Sequence, residues 1–546
     1  MKTLLQDYVT ERAERGPDAA AVVSDETTMT YGELEARSNQ LAHLLREAGC
    51  RKGDRICLLA PKSAASITAI LAIYKCDGIY VPLDAGSPAP RLLKMLDNSE
   101  PRWILAAGQV APLIENLFAS PTIRKETRIG WLDDQPVSGN RFRAAFDLRD
   151  VLTYPTAANS YQNHDHDVAH LLFTSGSTGT PKGVLITHAN VIHFIEWAME
   201  YFGITESDRQ SCHPPLHFDL SVFDIFGTLA AGAALYLVPP DLSLFPTRLA
   251  DFIRSNQLTQ WFSVPSLLTY MANLDAIRFG DFPDLKRLLW CGEVLPTPTL
   301  IHWMRRLPHV TFTNLYGPTE ATIASSYYTI PACPQKENDL IPIGTPCAGE
   351  SLHVFDSEFR PVSPGVVGDL YIGGVGLSPG YWRNSEATSS AFISNGSERL
   401  YRTGDLASRG LDGQVYFHGR SDSQVKTRGH RVELGEIEVA LAASCVVQDS
   451  AVVAIPSQGF EGHTICCAYV ARQGQAVTPV MLRKELMAKL PAYMVPSEWL
   501  ELPALPKNAN GKVDRPLLKS RFRDLTAQPR PRVDSGATVE GQLAAR

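Results

Sequence analysis

At 546 residues the chain is longer than one hydrophobic core can organise, so two or more domains are expected. Its 44% hydrophobic and 20% charged residues are those of a soluble globular protein, and a formal net charge of −7 with scattered basic residues argues against a nucleic-acid partner. The amino-terminal stretch MKTLLQDYVTERAERGPD is not a signal peptide, no run approaches the roughly 20 apolar residues of a membrane helix, and ten cysteines occur without a CxxC pair; a cytoplasmic protein with reduced, mostly buried thiols and no membrane partner is expected.

In residues 29–49, Thr30 and Glu33 have capping-box spacing, Leu34, Leu41 and Leu45 share one helical face, and Gly49 ends the helix. RICLLA, the helical ASITAILAIYK and GIYVPLD then suggest strand, helix and strand in a parallel sheet. Residues 120–165 are polar and read as irregular surface connection. Between strand-like AHLLF and VLIT lies TSGSTGTPKG at 174–183, whose glycines, hydroxyls and Lys182 describe a phosphate cradle. Its spacing is not that of the standard P-loop, and a Ser/Gly-rich surface loop is the bland alternative.

NVIHFIEWAMEYFG is helical and stops at Gly203, and the apolar PPLHFDLSVFDIFGTLAAGAALYLVP follows. Within it Asp219 is costly to bury without a cationic partner, so it is a structural ion pair, a helix cap or the seat of a substrate ammonium. WFSVPSLL and KRLLWCGEVL read as strands ending in turns. In TFTNLYGPTEATIASS, Tyr316 offers a flat face for a purine, Asn314 a hydrogen bond to its edge, Thr319 a donor to phosphate and Glu320 a ligand for Mg²⁺; alone, YGPTE is also a turn before a helix. Residues 419–438, GRSDSQVKTRGHRVELGEIE, hold the expected domain boundary, and an α+β unit runs on to about 520. Lys512, beside Gly511, would by itself be an exposed turn lysine.

Taken together, TSGSTGTPKG, FDLS at 218–221, YGPTE, YRTGDL at 401–406 and the lysine at 512 resemble the adenylate-forming superfamily, over residues 5–520. That family includes amino-acid adenylation domains of nonribosomal peptide synthetases, acyl-CoA synthetases and luciferases. The resemblance implies an α/β adenylate-forming fold: a large domain of mixed sheets and helices at 1–421 and a small mobile α+β domain at 422–520. The Pro/Gly/Ala-rich stretch 521–546 reads as a disordered tail. It further implies that ATP is held by Thr174, Ser175, Gly176, Ser177, Thr178, Gly179, Lys182, Asn314, Tyr316, Gly317 and Thr319, with Asp405 and Arg420 on the ribose and Mg²⁺ on Glu320. Lys512 would reach the carboxylate and α-phosphate, with Thr174 and Glu320 as its catalytic companions, and Asp422 would be the hinge. Ser378 and Pro379 depart from the family pattern and receive no role.

Asp219 matches the aspartate that binds the substrate amine, which fatty acyl-CoA synthetases lack. The pocket positions implied are Asp219, Leu220, Phe223, Ser263, Leu289, Cys291, Leu315, Ile323 and Ala324. With no other charge among these, a small aliphatic amino acid is expected. Transfer to the phosphopantetheine thiol of an acyl or peptidyl carrier protein is expected to follow. No carrier motif follows the domain, so a freestanding enzyme is expected, similar to the beta-amino acid:carrier protein ligases of macrolactam (incednine-type) biosynthesis. 3-Aminobutanoate is the preferred substrate on that resemblance; proline or another small alpha-amino acid, or an acyl-CoA synthetase activity, is the alternative.

Overall fold

The computed structural model describes residues 4–25, 27–134, 137–176, 179–457, 462–508 and 512–527. The expected first helix spans Tyr31–Glu47: the Thr30 hydroxyl accepts from the Glu33 amide at 3.2 Å and the Glu33 carboxylate accepts from the Thr30 amide at 2.9 Å. Leu34, Leu41 and Leu45 are buried on its inner face, and Gly49 follows with φ +87°. Strand Arg55–Leu59, helix Ala64–Lys75 and strand Ile79–Pro82 form a parallel unit as expected, because both strands are apolar throughout and so suit burial on two faces.

Among the described residues this unit belongs to a seven-stranded sheet ordered Ala144–Phe146, Arg128–Trp131, Trp103–Ala106, Arg55–Leu59, Ile79–Pro82, Val168–Thr174, Lys182–Thr187. The first two of these strands correct the reading of 120–165 as irregular. RIGW and AAF are too short to show periodicity, and edge pairing recruits them. A nine-stranded sheet carries Gln260–Ser263, Arg287–Trp290 and Thr311–Tyr316 side by side and parallel. The helix Leu220–Ala231 is buried on all sides, which is why its stretch is apolar throughout.

A five-stranded antiparallel sheet follows, with Glu398–Arg409 pairing to Gly368–Gly374 and to Val415–Arg420. The glycine-rich run 368–382 supplies one strand there; past Gly374 it turns, with Tyr381 making an isolated bridge to Val184. Next come the hairpin Gln424–Thr427/His430–Glu433 and a three-stranded sheet of Val447–Pro456, His463–Ala471 and Glu498–Glu501. Side chains of that last sheet alternate between two cores, Val452, Ala454 and Cys467 on one face and Ala451, Val453 and Cys466 on the other. The adjacent cysteines therefore point apart. All ten cysteines are free, with Cys445 exposed and Cys333 half-buried. The helix Arg515–Ala527 carries order into the segment read as tail, because Leu518 and Phe522 are buried against the sheet; 528–546 lie outside the described residues. Among the described residues no helix is long and apolar enough to cross a membrane.

Candidate active site

Two connected cavities lie where the large and small domains meet. The smaller, about 120 Å³, is walled by Thr174, Ser175, Asp219, Leu220, Cys291 and Tyr316 to Thr319, with Lys426 and the hairpin tip Gly429 to Arg431 closing it. The larger, about 1010 Å³, shares Gly292, Tyr316, Gly317, Asp405, Arg420 and Lys426 and extends between residues 293–297 and the helix bearing Arg515 and Lys519.

The phosphate-loop candidates sit where antiparallel strands Val168–Thr174 and Lys182–Thr187 open, with Thr174 opposite Lys182. A Cβ on Gly176 would fall 2.2 Å from the Thr180 carbonyl oxygen, and Gly179 has φ +77°, so both positions require glycine. Lys182 holds its ammonium 5.2 Å from the Tyr381 ring centre. Ser177 and Thr178 lie outside the described residues.

Tyr316, Asp405 and Arg420 come together as expected. The Tyr316 hydroxyl donates to one Asp405 oxygen at 2.5 Å and Arg420 pairs with the other at 2.5 Å. The same guanidinium grips Asp422 through two bonds of 2.8 and 2.7 Å, so the expected ribose carboxylate and the expected hinge share one arginine. The Asn314 amide donates to the Pro342 carbonyl at 2.8 Å, which fixes its plane beside Tyr316.

Asp219 immediately precedes the helix Leu220–Ala231 without capping it. Its carboxylate accepts from the Thr319 hydroxyl at 2.7 Å, and no ion pair reaches it among the described residues. Burial raises its pKa above the usual carboxylate range, only partly offset by the Thr319 hydrogen bond and the charge of Lys426. Leu220 and Cys291 line the small cavity beside it, and Leu315 lines the large one. Phe223, Ser263, Leu289, Ile323 and Ala324 line neither; they are packed in the core at 0 to 2% exposure. Phe223 sets its ring edge-on to Phe194 at 5.3 Å and to Phe262 at 5.7 Å, within the core. Thr322 and Ile323, with φ +53° and +71°, hold a left-handed backbone that costs β-branched residues about 1–3 kcal/mol each. The Thr322 hydroxyl, donating to the Gly376 carbonyl at 2.7 Å, anchors that strain.

Glu320 is buried at 1% exposure. It accepts from the Tyr381 hydroxyl at 2.8 Å, and both its oxygens accept from Arg431 Nη1 at 2.9 Å. Burial alone would raise this carboxyl; the Arg431 charge and the Tyr381 hydroxyl bring it below the ordinary value. No group of three ligating side chains occurs among the described residues, and with both oxygens engaged Glu320 does not fit a bound Mg²⁺ in this arrangement. Lys512 is also away from the expected place. It is exposed, its backbone amide donates to Asn508 Oδ1 at 3.1 Å, and it lines neither cavity.

In its stead the hairpin occupies the site. Ser175 Oγ donates to the Arg431 carbonyl at 2.7 Å, the Gly429 amide donates to Glu293 at 2.7 Å, and the His430 ring stacks on Tyr493 at 3.6 Å. Sequence reasoning gave no role to Lys426, Gly429, Arg431, Glu293 or Tyr381. The only hint was a dense run of charge and glycine in KTRGHRVELGEIE.

Residues 9–382 match the family described as AMP-binding enzyme, and residues 436–512 match the AMP-binding enzyme C-terminal domain. The chain is 37% identical over 515 residues to tyrocidine synthase 3 of Brevibacillus parabrevis, covering 94% of this chain and 7% of that protein. It thus spans a small part of the curated synthase it matches. To the L-proline--[L-prolyl-carrier protein] ligase of Pseudomonas fluorescens it is 33% identical over 513 residues, 94% of this chain and 98% of the ligase. Among solved structures, the Vibrio cholerae adenylation domain AlmE in complex with glycyl-adenosine-5'-phosphate superposes with a TM-score of 0.83 at 26% identity, over 96% of this chain and 98% of AlmE. IdnL1 does so with a TM-score of 0.75 at 28% identity, over 92% and 98%. With these two matches spanning most of its length, the chain belongs to the AMP-binding enzyme family.

Proposed function

We propose that this protein activates a small aliphatic amino acid as its adenylate with ATP and passes the acyl group to the phosphopantetheine thiol of a carrier protein. The observation that carries the reading is Asp219: a buried carboxylate that makes no salt bridge among the described residues, facing a cavity of about 120 Å³ with Thr174, Ser175 and Tyr316. A substrate ammonium supplies a full counter-charge, and the small volume of the cavity leaves room for little beyond it. The proline-carrier ligase and the glycyl-adenylate complex of AlmE support a small amino substrate. The finer reading, a beta-amino acid such as 3-aminobutanoate in macrolactam biosynthesis, rests on the sequence resemblance.

In the first half-reaction the substrate carboxylate oxygen attacks the α-phosphorus and pyrophosphate leaves. Both reactants are anions, so the chain's task is charge neutralisation and alignment. Thr174, Ser175, Gly176, Gly179 and Lys182 cradle the phosphates, Tyr316 and Asn314 face the purine, and Asp405 with Arg420 holds the ribose. Magnesium, when bound with ATP, supplies further electrostatic neutralisation. Lys512 joins after the small domain turns about Asp422. In the second half-reaction the acceptor thiol attacks the acyl carbon and AMP leaves, and the cavity of about 1010 Å³ gives the arm its approach.

Pyrophosphate release measured with MgATP over 3-aminobutanoate, β-alanine, glycine, L-alanine and L-proline tests the substrate, with the highest kcat/KM expected for 3-aminobutanoate. A higher value for proline or glycine overturns the beta-amino assignment. Acyl-CoA synthetase activity is the second reading, which Asp219 disfavours. Efficient acylation of coenzyme A with Asp219→Ala fully active would replace the carrier reading by that one.

A further inference from the structure

The transfer step needs something that none of the residues assigned so far provides, a place for a proton. An aliphatic thiol keeps its proton up to about pH 8.5 and attacks as the thiolate, so near pH 7 a base beside the acyl carbon raises the rate. With the ammonium on Asp219, that carbon lies in the cavity of about 120 Å³. Two carboxylates line this cavity, and both are engaged: Asp219 by the ammonium, Asp405 by the Tyr316 hydroxyl and Arg420. Two imidazoles line it as well. His430 is stacked on Tyr493 at 3.6 Å, and burial pushes its pKa down to about 3, which makes it too weak a base for a thiol.

His217 differs from it. It stands two residues before Asp219 on the large domain and is half-buried, its ring 5.1 Å from Phe218 and 6.2 Å from His430, and neither ring nitrogen makes a hydrogen bond among the described residues. Burial lowers its pKa from the ordinary imidazole value; the Asp84 carboxylate opposes this, and Arg91, itself paired with Glu436, adds to it. The ring is therefore neutral at pH 7, with a lone pair open to the cavity. We propose that His217 is the catalytic base of the transfer step, taking the proton of the acceptor thiol as its sulfur attacks the acyl carbon. The S–H bond breaks toward the imidazole, the S–C bond forms, and the bond from the acyl carbon to the phosphate oxygen breaks, its electron pair leaving with AMP. The imidazolium then returns its proton to solvent. The proposal rests on the reading of Asp219 as the ammonium anchor. Adenylate formation makes no such demand, because the substrate carboxylate attacks already ionised.

The test uses the full chain, 3-aminobutanoate, or L-proline should that release pyrophosphate faster, and pantetheine as the acceptor thiol, with transfer followed in single turnovers from preformed adenylate. In the wild-type protein the transfer rate is expected to rise with pH through an ionisation below about 6.5 and then to stay level up to about pH 8. A rate that climbs tenfold per pH unit up to about 8.5 is that of a thiol ionising unaided, and it overturns the proposal without reliance on any variant. His217→Asn is expected to lose about a hundredfold in transfer at pH 7 and to acquire that climbing profile, while pyrophosphate release falls much less. Added imidazole should restore about tenfold of the transfer lost in His217→Ala. An equal fall in both half-reactions, or an unaltered pH profile in His217→Asn, overturns the proposal. Asp219→Asn separates the two layers. If amino-acid-dependent pyrophosphate release survives it intact, the anchor reading fails and the proposal with it. If that release is lost while the His217→Asn profile matches the wild type, the reading stands and the proposal alone is overturned.

Discussion

Asp219 shows how a single side chain can be a liability to the fold and a requirement for the substrate. Its carboxyl is raised by burial above its unfolded value, so the penalty for ionising it is absent where both states are protonated and grows as pH rises through that interval. Asp219→Asn is therefore expected to stabilise the free protein by about 1 kcal/mol at pH 7.5 and by nearly nothing near pH 4, as read by thermal unfolding at the two pH values. The same variant loses the ammonium's partner, and its pyrophosphate release with amino acids should fall by about two orders of magnitude or more. Phe223 poses the opposite balance. Phe223→Ala is expected to cost about 3–5 kcal/mol of stability and to shift preference from small to branched amino acids. Denaturation together with substrate profiling checks both, and an unchanged profile would limit Phe223 to support of the core.

Among the elements, the hairpin tip places a steric demand at the junction of the two domains. Gly429 has φ +77°, and a Cβ there would lie 2.6 Å from Val264 Cγ1. Gly429→Ala should obstruct seating of the hairpin, so that thioester loading of a carrier drops by about tenfold or more while pyrophosphate exchange falls much less. Equal losses in the two assays would count against a separate transfer role. The elements themselves differed in how far sequence revealed them. The helix from Tyr31 announced itself through the Thr30–Glu33 box, and the parallel unit through runs such as RICLL, because local hydrogen bonding and burial on both faces each leave a local mark. Arg128–Trp131 left none, being four residues whose pairing depends on a distant edge. Glu320 and Arg431 are 111 positions apart, and nothing local joins them. Likewise Lys512 was found by motif, but its distance from the site depends on the orientation of a whole domain.

For the molecule as a whole, the present arrangement holds the small domain on the large one through Arg91 with Glu436 and Arg431 with Glu320. On the proposed mechanism, adenylate formation brings Lys512 to where the hairpin now stands. Lys512→Ala should nearly abolish adenylate formation yet leave transfer from a supplied adenylate much less affected; equal impairment would contradict the rotation about Asp422. One incidental property of the chain makes that rotation observable. Of ten thiols eight are buried, Cys333 is half-buried and Cys445 is exposed, and Cys445 sits on the small domain between the helix Leu434–Ala442 and the strand Val447–Pro456. A maleimide dye added to the native protein would therefore attach chiefly at that spot, giving a fluorescent marker on the small domain, able to report the proposed rotation, without any engineering of the sequence.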